Sequence, residues 1–396
     1  MTLRDRTEAA LRSWNHHEIG RGAPPVVDYD CHPQGATDVQ PATSRLHVRR
    51  ELEGLGAEAA DRNADVSVSE RVGAALAYLD ALLGAREPLD DYVRATQGCA
   101  AAGWSDEHLE RVRIVAVTEL DRLDIGWDSA TSESLATAEG LIDAADAADV
   151  IRRHASDLEG SVRSLVDSDA PFNVRVEHVD LAVYWAYWLD GSGADVRLRI
   201  NARNASFTDV QARQFALHEL LGHGLQCASY SAECRERDVP WVRMTSVHAQ
   251  QQVLLEGLAQ ALPLFVLPDD QALTVRVRLA HYLELVRAKV HIALNDGVSI
   301  PECVAMARSH VPFWSEARIG DMLTDRGADP LLRSYLWSYP AGIDWFVSLA
   351  DLATPEMAEN VIRTSYRAPL TPDGLSTLWP DGPAIGGAGQ LVVAHP

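Results

Sequence analysis

The sequence predicts a mainly α-helical protein with one small β-sheet, placed next to a helix that carries clustered histidine and glutamate. Three observations predict it. Apolar residues recur at helical spacing over most of Arg45–Ser168, as in Val72, Leu76, Leu79 and Leu83, then Leu109, Val112 and Leu120. Short runs rich in β-branched and aromatic residues occur at Val174–Tyr184 and Val196–Ile200. After that, helix-start signals return at Thr208/Gln211, Ser299/Glu302 and Thr354-Pro355-Glu356. Taken in order, Met1–His17 reads as a charged amphipathic helix without the apolar core that a secretory leader needs. Gly20–Pro41 is Pro/Gly-rich and reads as a loop. Arg45 to about Ser168 should hold four or five helices, with breaks near Arg86–Pro88, Gly103–Ser105 and Gly126–Ser132. Val174–Tyr184 and Val196–Ile200 should be two strands joined by a turn at Asp190–Gly193. After Leu370 the chain turns rich in Gly and Pro and should wrap the surface. The expected organisation is a helical region over 1–168, a region carrying chemistry over 169–370, and an irregular tail over 371–396.

The formal net charge is −22, which argues against nucleic acid or an anionic membrane as partner. Five scattered cysteines with no CxxC pattern suit a reducing compartment better than a disulfide framework. The most apolar stretch, Gly257–Leu267, falls short of the ~20 residues that a membrane helix needs. A soluble, cytoplasmic protein is expected, and nothing in the sequence sets an oligomeric state.

One segment carries chemistry: His218-Glu219-Leu220-Leu221-Gly222-His223. Two imidazoles with a carboxylate after the first can hold a zinc ion and activate its water. The histidines are five apart rather than four. In an α-helix an i,i+4 pair diverges by about 40°, whereas an i,i+5 pair diverges by about 140°. Both rings reach one metal only if the helix takes up an extra residue, as a π-bulge does, and Gly222 sits where that is sterically cheap. A third ligand is needed. Glu256 is the one carboxylate in the apolar helix Val253–Leu262, where an uncompensated charge is expensive. Glu233, Glu236, Asp238 and His248 are rivals in a polar linker. Cys227 and Cys234 read as buried thiols rather than ligands.

His218–His223 is identical to the HELLGH signature of dipeptidyl peptidase III. The flanks, Gly222-His223-Gly224-Leu225-Gln226 and Glu256-Gly257-Leu258-Ala259, resemble a bacterial group with HExxPGHxxQ followed by EGWA. The Pro is missing here, and Leu258 replaces Trp. Both groups are gluzincins, like thimet oligopeptidase and the Taq-type carboxypeptidase, and the resemblance covers Val174 to about Ala350. It implies a helical gluzincin-like fold and one Zn²⁺ per chain on His218, His223 and Glu256, with Glu219 as general base. It also implies that Tyr339, and after it Tyr335, faces the metal as an oxyanion donor, and that the strand edge at Val196–Ile200 pairs with extended substrate. Arg287 and His291 only loosely echo the group's Arg-rich helix. The expected activity is hydrolysis of a peptide or other amide bond in a short or small substrate. The alternatives are a biosynthetic metalloenzyme acting on a non-peptide metabolite and a metal-binding protein without catalysis; the latter has no use for Glu219.

Overall fold

The computed structural model describes residues 1–35, 39–62, 66–180, 186–201 and 206–389. Helix α1 (Leu3–Gly20) begins at a capping box on Thr2, and α2 (Arg45–Arg62), α3 (Val66–Leu82), α4 (Leu89–Gln97), α5 (Asp106–Asp121), α6 (Thr131–Glu139) and α7 (Ala147–Val166) follow. Among the described residues, Arg45–Ser168 holds six helices, against four or five expected. The short α4 and α6, nine residues each, hold too few turns for their periodicity to stand out.

The sheet is small and mixed, in the order β2-β4-β3-β1-β5. Its strands are β1 (Tyr29–Asp30), β2 (Asn173–Val179), β3 (Tyr187–Ser192), β4 (Asp195–Asn201) and β5 (Met244–Thr245). This corrects the two-strand expectation in three respects. Asp190, Gly191 and Ser192 belong to β3 and not to a turn, because they pair with Arg197, Val196 and Asp195 of β4, and the Asp190 carboxylate bridges Arg197 and Arg199. The hairpin turn lies at Gly193, whose φ is +62°. Strand β2 instead runs parallel to β4, from Asn173↔Asp195 to Val179↔Asn201; the expected strand end at Leu181–Tyr184 lies outside the described residues. Strand β4 is therefore interior, hydrogen-bonded on both sides, and has no free edge to offer an extended substrate. Loop Gly20–Pro41 also contributes a strand, β1, between β3 and β5.

Apart from β5, the elements after β4 are helical: α8 (Asp209–Phe215), a π-helical segment (Ala216–Gly224), α9 (Leu225–Glu236), α10 (Gln252–Val266), α11 (Gln271–Asn295), α12 (Ile300–His310), α13 (Glu316–Gly327), α14 (Leu332–Tyr335), α15 (Ser338–Leu352), α16 (Pro355–Ser365) and α17 (Pro372–Leu378). The expected irregular tail contains α17, opened by Thr371 and Pro372, with Leu375 fully buried and Trp379 nearly so. Thr-Pro-Asp was a helix start hidden in a Gly/Pro-rich composition. Residues on both sides of position 168 share cores: Leu89, Val93 and Val162 pack with Leu217, Leu258 and Trp337. Helix α1 is tied to the linker before α10 by buried Glu8, which accepts from the backbone and guanidinium of Arg243. No helix among the described residues is long and apolar enough to cross a membrane.

Candidate metal centre

Thr208 and Gln211 cap each other's backbone and start α8, which leads without a break into the π-helical segment. That segment is apolar on two sides. Ala216 and Leu220 face Leu198 and Ile200 of the sheet, while Leu217, Leu221 and Leu225 join the core built on α10 and α15. Burial on both sides holds the wide helix in place, and i→i+5 winding sets His223 above His218. The histidine spacing thus has the helical distortion it demands. Gly222 is needed for packing as well: a Cβ there would lie 2.9 Å from the Leu217 carbonyl oxygen and 3.0 Å from Ala259 Cβ on α10.

The donors converge. His218 Nε2 and His223 Nε2 are 3.2 Å apart, and Glu256 Oε2 lies 3.4 Å from the first and 3.6 Å from the second. Zinc bonds of about 2.0–2.2 Å at tetrahedral angles put donor atoms roughly 3.3–3.5 Å apart. Glu256 Oε2 is buried and has no hydrogen-bond partner, an orphaned acceptor aimed at two ring nitrogens. The donor set and its spacing fit a divalent cation. Burial pushes the Glu256 carboxyl up, but the two imidazoles outweigh it and hold it well below the ordinary carboxylate range. Glu219, adjacent and also buried, is shifted the other way: burial and the Glu256 charge raise its pKa against the pull of both histidines. Two carboxylates in one site are thus pushed apart in proton affinity.

Glu256 is seated by a helix crossing. Gly257 on α10 and Gly342 on α15 touch backbone to backbone; a Cβ on Gly342 would fall 2.4 Å from the Val253 carbonyl oxygen and 2.5 Å from Gly257 Cα. That approach brings α14 and α15 close enough for Tyr335 to donate to Glu256 Oε1 at 2.5 Å. Tyr335 and Tyr339 hydroxyls are 2.8 Å apart. Since the single Tyr335 proton goes to the carboxylate, Tyr339 donates to Tyr335. Both phenols are pushed well above their ordinary pKa, by burial first and by Glu256 next, so both stay protonated.

Two neighbours of the centre had no signal in the sequence. Tyr187 of β3, 45% exposed, stands edge-on to Phe215 at 4.6 Å and lies within electrostatic reach of Glu219 and Glu256. Asp28, just before β1, feels Glu256 and His223; burial raises its pKa to about 7. Both arrive by long-range pairing of the sheet, which no local pattern announces. The rival ligands are not in the centre. Glu233 pairs with Arg237, Asp238 with Arg4, Glu236 is exposed, and His248 is buried against Tyr78. Cys227 and Cys234 are free buried thiols, pushed up to about 12 by burial.

A second histidine–carboxylate group, His108, His281 and Asp344, has different geometry. Both Nε2 atoms lie at hydrogen-bond distance from one oxygen, 2.9 and 2.8 Å, and the other oxygen accepts from Trp104 at 2.7 Å. With both imidazoles at hydrogen-bond length from one Asp344 oxygen and the other oxygen taken by Trp104, this group ties α5, α11 and α15 together as a hydrogen-bond node.

No protein-family model and no curated protein matches the chain. The fold itself recurs. A solved structure described as a "putative lipoprotein" from Colwellia psychrerythraea superposes with a TM-score of 0.53 at 14% identity, over 84% of this chain and 59% of that one. This chain therefore matches little more than half of that neighbour's length, and at this identity the likeness concerns the fold alone.

Proposed function

We propose that this protein is a zinc-dependent hydrolase of the gluzincin type that cleaves a peptide or other amide bond in a short or small substrate. The observation that carries the reading is the triangle of His218, His223 and Glu256 donors at zinc-like spacing, with the buried Glu219 beside it and two linked phenols hydrogen-bonded to Glu256. A zinc ion held there supplies a Lewis acid for the scissile carbonyl and lowers the pKa of a water towards ~7. Glu219 takes the water's proton and delivers it to the leaving nitrogen; its raised pKa suits a group that must both accept and give a proton. Tyr335 positions Glu256 by hydrogen bond, and Tyr339 turns its proton from Tyr335 to the developing oxyanion. The test is Glu219→Gln assayed on a panel of short peptides and acyl-amides. Metal content should stay at the wild-type level while turnover falls by about 10²–10⁴-fold. Equal turnover of the variant and the wild type would refute a hydrolytic role for the site.

A further inference from the structure

A π-helical turn that runs on into an α-helix leaves a carbonyl behind. Bonds spanning five residues give way to bonds spanning four, so one acceptor in the series is passed over. Here the change falls at Leu225. Its N–H is directed to the carbonyls of Leu220 and Gly222, five and three residues back, and passes over Leu221, the acceptor that an α-helix uses. Leu221 is fully buried, where a backbone carbonyl needs a partner. One comes from outside the helix: the hydroxyl of Tyr366 donates to the Leu221 carbonyl oxygen at 2.7 Å. A carbonyl only accepts, so the direction of this bond is fixed.

Tyr366 directly follows α16 and is itself held in place. It is buried in the same core as Leu217, Leu221 and Leu225. The carbonyl before it, on Ser365, accepts from Gln226 at 2.9 Å and from Tyr230 at 2.7 Å, both on α9. The end of α16 and the start of α9 are therefore laced in both directions, and Gln226 lies three residues after His223. Without the phenol, the Leu221 carbonyl has a ready substitute in the Leu225 N–H, four residues on. Taking that donor would rewind the turn to α geometry and restore the divergence of about 140° between His218 and His223.

We propose that Tyr366 is a positioning residue for the metal centre: its hydroxyl holds the Leu221 carbonyl out of the α-helical ladder and so keeps His223 in line with His218. Gln226 acts with it by seating the Ser365–Tyr366 segment. This rests on the metal-binding part of the reading above and not on the reaction.

The experiment compares the full chain with its Tyr366→Phe and Tyr92→Phe variants. Both phenols are buried and both donate to a backbone carbonyl at 2.7 Å, but the Tyr92 bond ends on Pro330 and not on the π-helical segment. Zinc affinity is read by chelator competition, ligand geometry by the visible spectrum of the cobalt-loaded protein, and stability by urea denaturation. Both variants should unfold at lower urea. Tyr366→Phe should also weaken zinc about 10- to 100-fold, the range for groups that orient metal ligands, and should change the cobalt spectrum. Tyr92→Phe should leave affinity and spectrum at wild type. If Tyr366→Phe does not fold, Gln226→Leu, which removes one of the two donors seating Ser365, carries the test and should weaken zinc about 10-fold. Wild-type zinc affinity and cobalt spectrum in the variant that carries the test overturn the proposal. So does an equal zinc loss in Tyr92→Phe, because the loss would then follow from general loosening. A wild type that binds zinc without turnover removes the hydrolase reading alone, and a wild type that binds no zinc removes both. Turnover with an unaltered centre in Tyr366→Phe removes the positioning role alone.

Discussion

Gly342→Ala should damage the metal centre without touching any of its donors. The added Cβ would lie 2.4 Å from the Val253 carbonyl oxygen and 2.5 Å from Gly257 Cα. Ordinary carbon contacts begin near 3.5 Å, so α10 and α15 must separate by roughly 1 Å. Overpacking of a tight interface typically costs about 1–3 kcal/mol. The same separation pulls Tyr335 from Glu256 Oε1, and Glu256 away from His218 and His223. A misplacement of about 1 Å can cost on the order of 10²-fold in function. The assays are urea denaturation and zinc affinity by chelator competition. Gly160→Ala is the control: Gly160 lies in α7 with nothing within 4 Å of an added Cβ, so alanine there should leave zinc binding unchanged and stabilise by about 0.5–1 kcal/mol. If Gly342→Ala matched Gly160→Ala in both stability and zinc affinity, the helix crossing would have no part in building the site.

The two tyrosines should separate. Tyr335→Phe removes the hydrogen bond to Glu256 and should weaken zinc affinity by about 10–100-fold, whereas Tyr339→Phe should keep the metal and lower turnover by roughly 10²–10³-fold; the same effect from both variants would refute the division of roles. Acid stability offers a second check. His248 and His291 are fully buried, and burial holds their pKa well below the ordinary value. The unfolded chain therefore takes up protons below pH ~6.5 that the folded chain refuses. Stability is full above that pH and falls on acidification by about 1.4 kcal/mol per pH unit for each histidine. His291→Leu should flatten the slope by one such increment in denaturant titrations at pH 7, 6 and 5; an unchanged slope would show that His291 takes up a proton in the folded state.

What was legible in the sequence was local. His218, Glu219 and His223 could be read because they share one helical segment, and the awkward five-residue spacing pointed to its distortion. Glu256 could be read because a lone carboxylate in Val253–Leu262 is costly without a partner. The capping boxes at Thr208 and Ser299 are four-residue signals and both form. What was not legible depends on contacts between distant segments. Strand β3 looks like a turn, since Asp190-Gly191-Ser192 has turn composition, and only its pairing with β4 and with the distant β1 makes it a strand. The reason for Gly257 and Gly342 is each other, 85 residues apart in the chain. Arg326 looks like any exposed helix charge, yet the packing of distant helices leaves it only 6% exposed.

The most direct test of the account is the metal itself. Elemental analysis of the purified, zinc-supplemented protein should find one zinc per chain, and His218→Ala should abolish it, because two remaining ligands hold the ion poorly. A stoichiometry near zero in the wild type, or full occupancy in His218→Ala, would contradict the centre built on His218, His223 and Glu256.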